Sequence, residues 1–195
     1  MPPTIPVTAN AEDDSLAPLM AAMRDGSESA LGELMELCWP ELVRYAARQV
    51  GEVETGRDIV QEAFIQVWRR RRAWKPRASV RAYLYRIVRS LVIDQRRRQG
   101  VRRRWAAAQQ LSPQAGPATP AEELDATILA EAFEAAVASL PDRRRDVFEL
   151  VFLRGLSHGE AAEAMGISAQ TVANQMSAAL RTIRSAVAES GVTDR

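Results

Sequence analysis

Cysteine, histidine and lysine are nearly missing from this 195-residue chain, which holds one of each: Cys38, His158 and Lys75. One cysteine cannot close an internal disulfide, and with a single histidine beside it the chain cannot supply the three or four soft ligands of a zinc site. A disulfide scaffold and a zinc finger are excluded. Aromatic residues make up only 6% of the chain. No stretch approaches the ~20 apolar residues that span a bilayer, and Met1 to Ser15 lack a basic segment followed by an apolar one. Neither membrane insertion nor a secretory signal is expected, and the expected location is the cytoplasm. The length allows one ordinary domain or two small ones.

A net charge of +1 would by itself count against a nucleic-acid partner. The distribution says otherwise. Residues 1–56 carry 3 basic and 10 acidic groups, residues 57–105 carry 16 and 3, and residues 106–195 carry 7 and 12, giving −7, +13 and −5. The middle quarter is as basic as many nucleic-acid-binding domains. Its bases are almost all arginine, whose planar guanidinium forks phosphate oxygens, reads guanine edges and stacks on bases. A solvated polar face would share this composition.

Residues 1–14 offer little apolar surface and are expected to be a disordered lead-in, with Ser15 capping the first helix. Apolar residues at three-to-four spacing from Ala17 to Arg48 predict two helices broken near Asp25-Gly26-Ser27. Gly51 and Gly56 bracket a turn, and Asp58 begins a further helix with Ile59, Ala63, Phe64, Val67 and Trp68 on one face. Phe64 and Trp68 belong in the core. The next helix is expected from about Ser79 to Arg98, with Arg81, Arg86, Arg89, Arg96 and Arg97 projecting away from its apolar stripe.

Pro113, Gly116, Pro117 and Pro120 among small polar residues mark an interdomain linker. Beyond it, Leu124 to Leu140 and Asp142 to Arg154 are helical, and Gly155 stops the second of them. Ser157 and Glu160 form a capping box, Gly166 suits a left-handed turn, and Ser168 caps the last helix, with Val172, Met176, Leu180, Ile183 and Val187 as its buried stripe. No alternating apolar pattern predicts a strand. The expected class is all-α: two small helical domains joined by a flexible linker, the second containing a helix-turn-helix.

Leu156 to Arg184 has helix-turn-helix spacing, although an ordinary helical hairpin would share it. The second helix of such a unit enters the major groove. Its first turns here carry Ser168, Gln170, Thr171, Asn174, Gln175, Ala178 and Arg181. Asn and Gln pair bidentately with adenine, and Arg pairs with guanine or phosphate. Earlier in the chain, Asp58, Gln61, Glu62 and Ile65 share a helix face just before four arginines. Asp58 and Glu62 have no histidine or metal cluster beside them to complete an acid–base site, so they suggest docking to a basic partner helix. No catalytic residue, metal site or cofactor is expected, and the chain is read as a non-enzyme.

The block Asp58 to Trp68, followed by Ala78 to Arg98, resembles region two of bacterial sigma factors. Leu140-Pro141-Asp142 through Gly155-Leu156-Ser157, Glu160-Ala161-Ala162, Met165-Gly166-Ile167-Ser168, Thr171-Val172 and Ala179-Leu180-Arg181 is similar to their region four. Two domains with a short linker resemble the extracytoplasmic-function group. The resemblance implies a region-two domain over 15–105, a linker over 106–124 and a region-four domain over 125–190. It implies core RNA polymerase (the β′ clamp helices and the β flap), promoter DNA and an anti-sigma factor as partners.

By position, Asp58, Gln61, Glu62 and Gln66 would carry the clamp contact. Trp74, Ser79, Arg81, Tyr83, Arg86, Arg89, Ser90, Asp94 and Arg97 would meet the melted −10 strand, and the residues named on the last helix would read the −35 element. Capturing an unstacked base needs an aromatic or apolar pocket beside a basic groove. Family members commonly have Trp where Tyr83 stands, Asn where Ser90 stands, and Lys or Arg near Ala173, Gln175 and Ala178. The alternative reading is a stand-alone helix-turn-helix regulator of duplex DNA, which would not need the Asp58 to Trp68 patch.

Overall fold

The computed structural model describes residues 9–74, 79–107 and 124–189, with side chains described from residue 16 and not for 101–130. Among the described residues the chain is all helical, with no strand, and no helix is long and apolar enough to cross a membrane. Most of the expected linker, residues 108–123, lies outside the described residues, as do residues 1–8, 75–78 and 190–195.

Helix α1 runs over Ala9–Arg24. It starts six residues upstream of the expected Ser15 cap, so residues 9–14 are its first turns and not part of an unstructured lead-in. No Gly or Pro lies between Ala9 and Ala17 to stop it extending. Helix α2 spans Glu28–Val50 and opens on Ser27, whose Oγ accepts from the Ala30 N–H at 3.3 Å. Gly51 ends α2 in the left-handed conformation, at φ 81°.

Helix α3 spans Val53–Arg69 and thus begins five residues before Asp58. Gly56 lies inside it and serves a purpose other than turning the chain. A Cβ at Gly56 would lie 2.7 Å from the backbone nitrogen of Ala47, so glycine permits the close crossing of α2 and α3. Even alanine there would force the two backbones apart.

A short 3₁₀ turn, Arg71–Ala73, leads toward α4 at Val80–Ala107. Ser79 caps α4 through its Oγ, which accepts from the Ala82 N–H at 3.2 Å. The helix runs nine residues past the expected Arg98, because Gly100 alone does not break it and no proline follows before Pro113. Leu34, Leu42, Tyr45, Val60, Val67, Leu84, Tyr85 and Val88 form the center of this four-helix group. Tyr45 and Tyr85 meet edge to face at 5.3 Å.

Helix α5 spans Leu124–Ser139, and α6 spans Asp142–Phe148 before widening into a π-helical turn at Glu149–Leu153. Arg145 closes the end of α5, its Nε donating to the Val137 carbonyl at 3.1 Å and its Nη2 to the Leu140 carbonyl at 2.7 Å. Carbonyls with no intrahelical partner are satisfied in this way. Helix α7, His158–Met165, opens on the capping box: Glu160 N–H donates to Ser157 Oγ, and Ser157 N–H donates to Glu160 Oε2 at 2.8 Å. Gly166, at φ 66°, turns the chain into α8, Ala169–Glu189.

Phe148, Leu140, Leu150, Ala161, Val172, Met176, Ala179 and Ile183 are the core of this second group. Leu180 and Val187, expected in the buried stripe of α8, pack against that core while remaining partly exposed. The two groups of helices meet where α7 packs against α4.

Candidate nucleic-acid interface

Three surfaces carry the residues singled out by sequence. On α3, Ile59, Val60, Ala63, Phe64 and Val67 are buried, which turns Asp58, Gln61 and Ile65 outward. Glu62 is half-buried and accepts from Gln66 Nε2 at 3.1 Å. Asp58, Glu62 and Thr55 line one side of a shallow cavity of about 250 Å³, with Asp94 and Arg98 of α4 opposite. Asp94, assigned by sequence to DNA, therefore lies beside the α3 acidic surface and pairs with Arg97 at 3.4 Å. Trp68 is partly buried, and Arg71 lies over its ring at 4.2 Å while donating to the Trp68 carbonyl at 2.9 Å. The other three arginines of that run, Arg69, Arg70 and Arg72, are exposed.

The second surface is a cavity of about 360 Å³ between α3 and α4, lined by Gln66, Arg70, Ala73, Tyr83, Arg86, Ile87 and Ser90. Tyr83, Arg86 and Ser90 recur at helical spacing on one face of α4. Tyr83 is only 7% exposed, and the Arg86 guanidinium lies 5.2 Å from its ring center. Burial raises the Tyr83 hydroxyl above its ordinary pKa, against the lowering effect of Arg86 and Arg70. The phenol therefore stays neutral and its ring forms one wall, with cations at the rim. An aromatic floor with a guanidinium edge is suited to stack a planar base and neutralize its phosphate. Arg70, Ala73 and Ile87 join this cavity although sequence reasoning did not select them, and Gln66 sits here as well as beside Glu62. Ile87 is four residues after Tyr83, a spacing that could have flagged it.

Several residues expected to face the melted strand are otherwise engaged. Arg81 is 6% exposed and does not project into solvent: its Nη2 meets Glu41 Oε2 at 3.1 Å and donates to the Arg154 carbonyl at 2.8 Å. A buried guanidinium needs such partners, and they come from α2 and from the end of the π turn. Arg89 is committed to Asp146, Nε to Oδ2 at 3.0 Å. Ser79 donates to Glu160 Oε1 at 2.9 Å, so the α7 capping carboxylate also receives a bond from α4. Trp74 is 4% exposed, part of the core against the expectation that it faces DNA, and its indole N–H has no hydrogen-bond partner among the described residues. Arg97 remains exposed.

The third surface is α8. Burial of Val172, Met176, Ala179 and Ile183 leaves Gln170, Asn174 and Arg181 exposed on the opposite side. Gln170 Nε2 donates to Asn174 Oδ1 at 3.1 Å, which holds both amides on one stripe. Ser168 Oγ caps the helix by accepting from the Thr171 N–H at 3.1 Å, and the two hydroxyls lie 2.8 Å apart. Gln175 is partly buried, its carbonyl accepting from Arg144 Nε at 3.4 Å, and Ala178 is half-buried with its backbone carbonyl taken by Thr182. Ser177 and Arg184, not selected from sequence, are exposed and extend the stripe by the same spacing.

The ECF sigma factor family model matches residues 13–189. The chain is 31% identical over 176 residues to the ECF RNA polymerase sigma factor SigL of Mycobacterium tuberculosis, covering 86% of this chain and 97% of that protein. It is 32% identical over 160 residues to the ECF RNA polymerase sigma factor SigF of Caulobacter vibrioides, covering 78% and 83%. Among solved structures, CnrH in complex with the cytosolic domain of CnrY superimposes with a TM-score of 0.65 at 24% identity, covering 88% of this chain and 96% of that one. The sigma factor RpoE of Bartonella quintana, solved with the anti-sigma factor NepR, gives 0.61 at 21% identity, covering 84% and 98%. The fold is that of these proteins, and the family match runs from within α1 to the end of α8. This chain belongs to the ECF sigma factor family.

Proposed function

We propose that this chain is a promoter-specificity subunit that binds core RNA polymerase, captures the melted −10 strand with α3 and α4, and reads the −35 element with α8. The observation that carries this reading is the pairing of two unlike surfaces on one chain. One is a cavity with an aromatic wall and a basic rim at Tyr83, Arg86 and Arg70; the other is an exposed amide-rich helix face at Gln170 and Asn174. A flipped base needs the first and a duplex edge needs the second.

In this reading residues 15–105 form the region-two domain, 106–124 the linker, and 125–190 the region-four domain, with α7 and α8 as a helix-turn-helix. The exposed face of α3, with Asp58, Gln61, Glu62 and Gln66, docks on the β′ clamp helices, and the second domain meets the β flap. An anti-sigma factor is the expected inhibitor, and the solved complex of RpoE with the anti-sigma factor NepR supports that expectation. In vitro transcription with purified core enzyme on a promoter library tests the function. Initiation from a defined subset of promoters, dependent on the chain, is the expected result; an unchanged transcript population on adding the chain would refute it.

A further inference from the structure

The cavity between α3 and α4 has an uneven supply of hydrogen-bonding groups. Arg70 and Arg86 at its rim can only donate, and the hydroxyls of Tyr83 and Ser90 can do either. Ala73 and Ile87 bring no polar side-chain atom, so Gln66 brings the one amide among the described residues that line it. A pocket of donors alone would suit guanine and thymine, which present exocyclic carbonyls. What Gln66 presents therefore decides whether an amino group finds a match.

Its orientation is set by Glu62. Gln66 Nε2 donates to Glu62 Oε1 at 3.1 Å, one helical turn back on α3. An ionized carboxylate only accepts, so the amide must turn its NH2 edge to Glu62; the reverse orientation would set two oxygens against each other. The carbonyl Oε1 is then the edge directed away from Glu62. Both side chains are half-buried, which limits the competition of water for this bond. Such a pair usually does no more than steady a helix, but here its donor residue also lines an aromatic-walled cavity. Gln66 thus brings a fixed acceptor to a rim of cationic donors.

An acceptor beside guanidinium donors matches one pattern on a flipped base. Cytosine carries its N4 amino group next to the N3 acceptor, and adenine carries its N6 amino group next to N1. Either base can donate to Gln66 Oε1 while its ring nitrogen accepts from an arginine. Guanine and thymine put O6 or O4 in that place, oxygen against oxygen, and a site that leaves its own polar group unmatched rejects the wrong base strongly. Tyr83 stacks on any base, because every base has a π face, and the arginines do not tell an amino group from a keto group by stacking or phosphate contact.

We propose that Gln66, oriented by Glu62, is the base-selecting residue of this cavity, accepting from the exocyclic amino group of adenine or cytosine on the captured strand. This assignment rests on the strand-capture function proposed above and names the chemistry that its site prefers.

Transcription by the full chain with core enzyme, on a promoter library randomized through the −10 element, tests it. Wild type should favor A or C over G or T about tenfold at one position of the captured strand. Gln66→Leu keeps a good helix former and removes the acceptor, so the preference at that position should fall to about twofold or less while the others persist. Gln66→Arg puts donors in place of the acceptor and should move the same position toward G or T. Both variants are first checked for wild-type helicity by circular dichroism. Each preference is a ratio between promoters read by the same enzyme, so a weaker hold on polymerase lowers both members and cancels. Preferences unchanged in both variants, or a Gln66-dependent position that favors G or T in the wild type, would overturn the assignment. Preference lost equally at every position, or no transcript from either variant, would make Gln66 a structural or docking residue and overturn it as well. No chain-dependent transcript from the wild type would instead remove the strand-capture function, and the assignment with it.

Discussion

Helices α4 and α8 were both read from sequence as DNA-facing, yet they treat their polar residues in opposite ways. On α8 the buried stripe is narrow, and Gln170, Asn174 and Arg181 stand exposed, with Gln170 donating to Asn174 along the same helix. On α4 every residue from Val80 to Tyr85 is buried, and Arg81 and Arg89 are bound to carboxylates or carbonyls of distant elements. A helix buried on all sides at one end cannot keep all its cations for a ligand. The difference teaches that an arginine count overstates a DNA-binding surface wherever a helix lies between two packed layers. The open cations around the α4 cavity are Arg86 and Arg70.

The largest effect should come from a change that silences both helices without touching either. Asp58→Arg together with Glu62→Arg should abolish co-purification with core polymerase while helicity is retained. Retained association would remove the α3 face from the docking surface. Next, Arg81→Ala should lower stability by about 3 kcal/mol, because it strips the partner from the half-buried Glu41 and from the part-buried Arg154 carbonyl. Arg86→Ala, on the exposed side of the same helix, should leave the urea midpoint almost unchanged while impairing open-promoter formation. Equal destabilization by the two would erase the contrast between the two sides of α4.

On α8 the effects should be smaller and sequence-specific. Asn174→Ala should shift −35 preference by ~1 to 3 kcal/mol at the base it contacts, measured by competition among promoter variants. Uniform loss across all variants would make it a phosphate contact instead.

The smallest effect concerns pH. Burial lifts the Asp146 carboxyl, which faces Arg89, Arg96 and Asp142, and the Glu149 carboxyl, which faces Gln49, Arg48, Arg154 and Asp146. Both bind protons in the folded chain that the unfolded chain has already released. Their contribution is therefore most favorable at low pH and declines as pH rises from about 4 through the lifted values. Glu149→Gln should flatten that decline by about 1 kcal/mol or less across a urea-unfolding series. An unaltered slope would show that Glu149 does not titrate in this window.

Features encoded by neighbors in the chain were legible. The break at Asp25–Ser27, the Ser157–Glu160 box, the Gly51 and Gly166 turns and the apolar stripe of α8 all follow from residues within one helical turn of each other. What escaped depends on partners far away in sequence. Arg81 meets Glu41 and Arg154, separated from it by 40 and 73 positions, and Gln49 meets Glu149 across 100. Periodicity carries no information about such pairs. Gly56 was misread for the same reason: its role is set by Ala47 on the neighboring helix, and its own backbone needs no turn. The π turn at Glu149 also left no mark in the apolar spacing, because Leu150 and Phe152 fit an ordinary helix equally well.

The central claim, that two unlike DNA-reading surfaces serve one polymerase-dependent function, is tested most directly by run-off transcription on a promoter library. The chain is assayed with core enzyme, core enzyme is assayed alone, and DNA binding by the free chain is measured in parallel. The account predicts chain-dependent initiation at a restricted set of promoters, weak binding to those promoters by the free chain, and loss of initiation in the Asp58→Arg, Glu62→Arg variant. Tight site-specific duplex binding by the free chain, with no transcripts added to those of core enzyme alone, would contradict it.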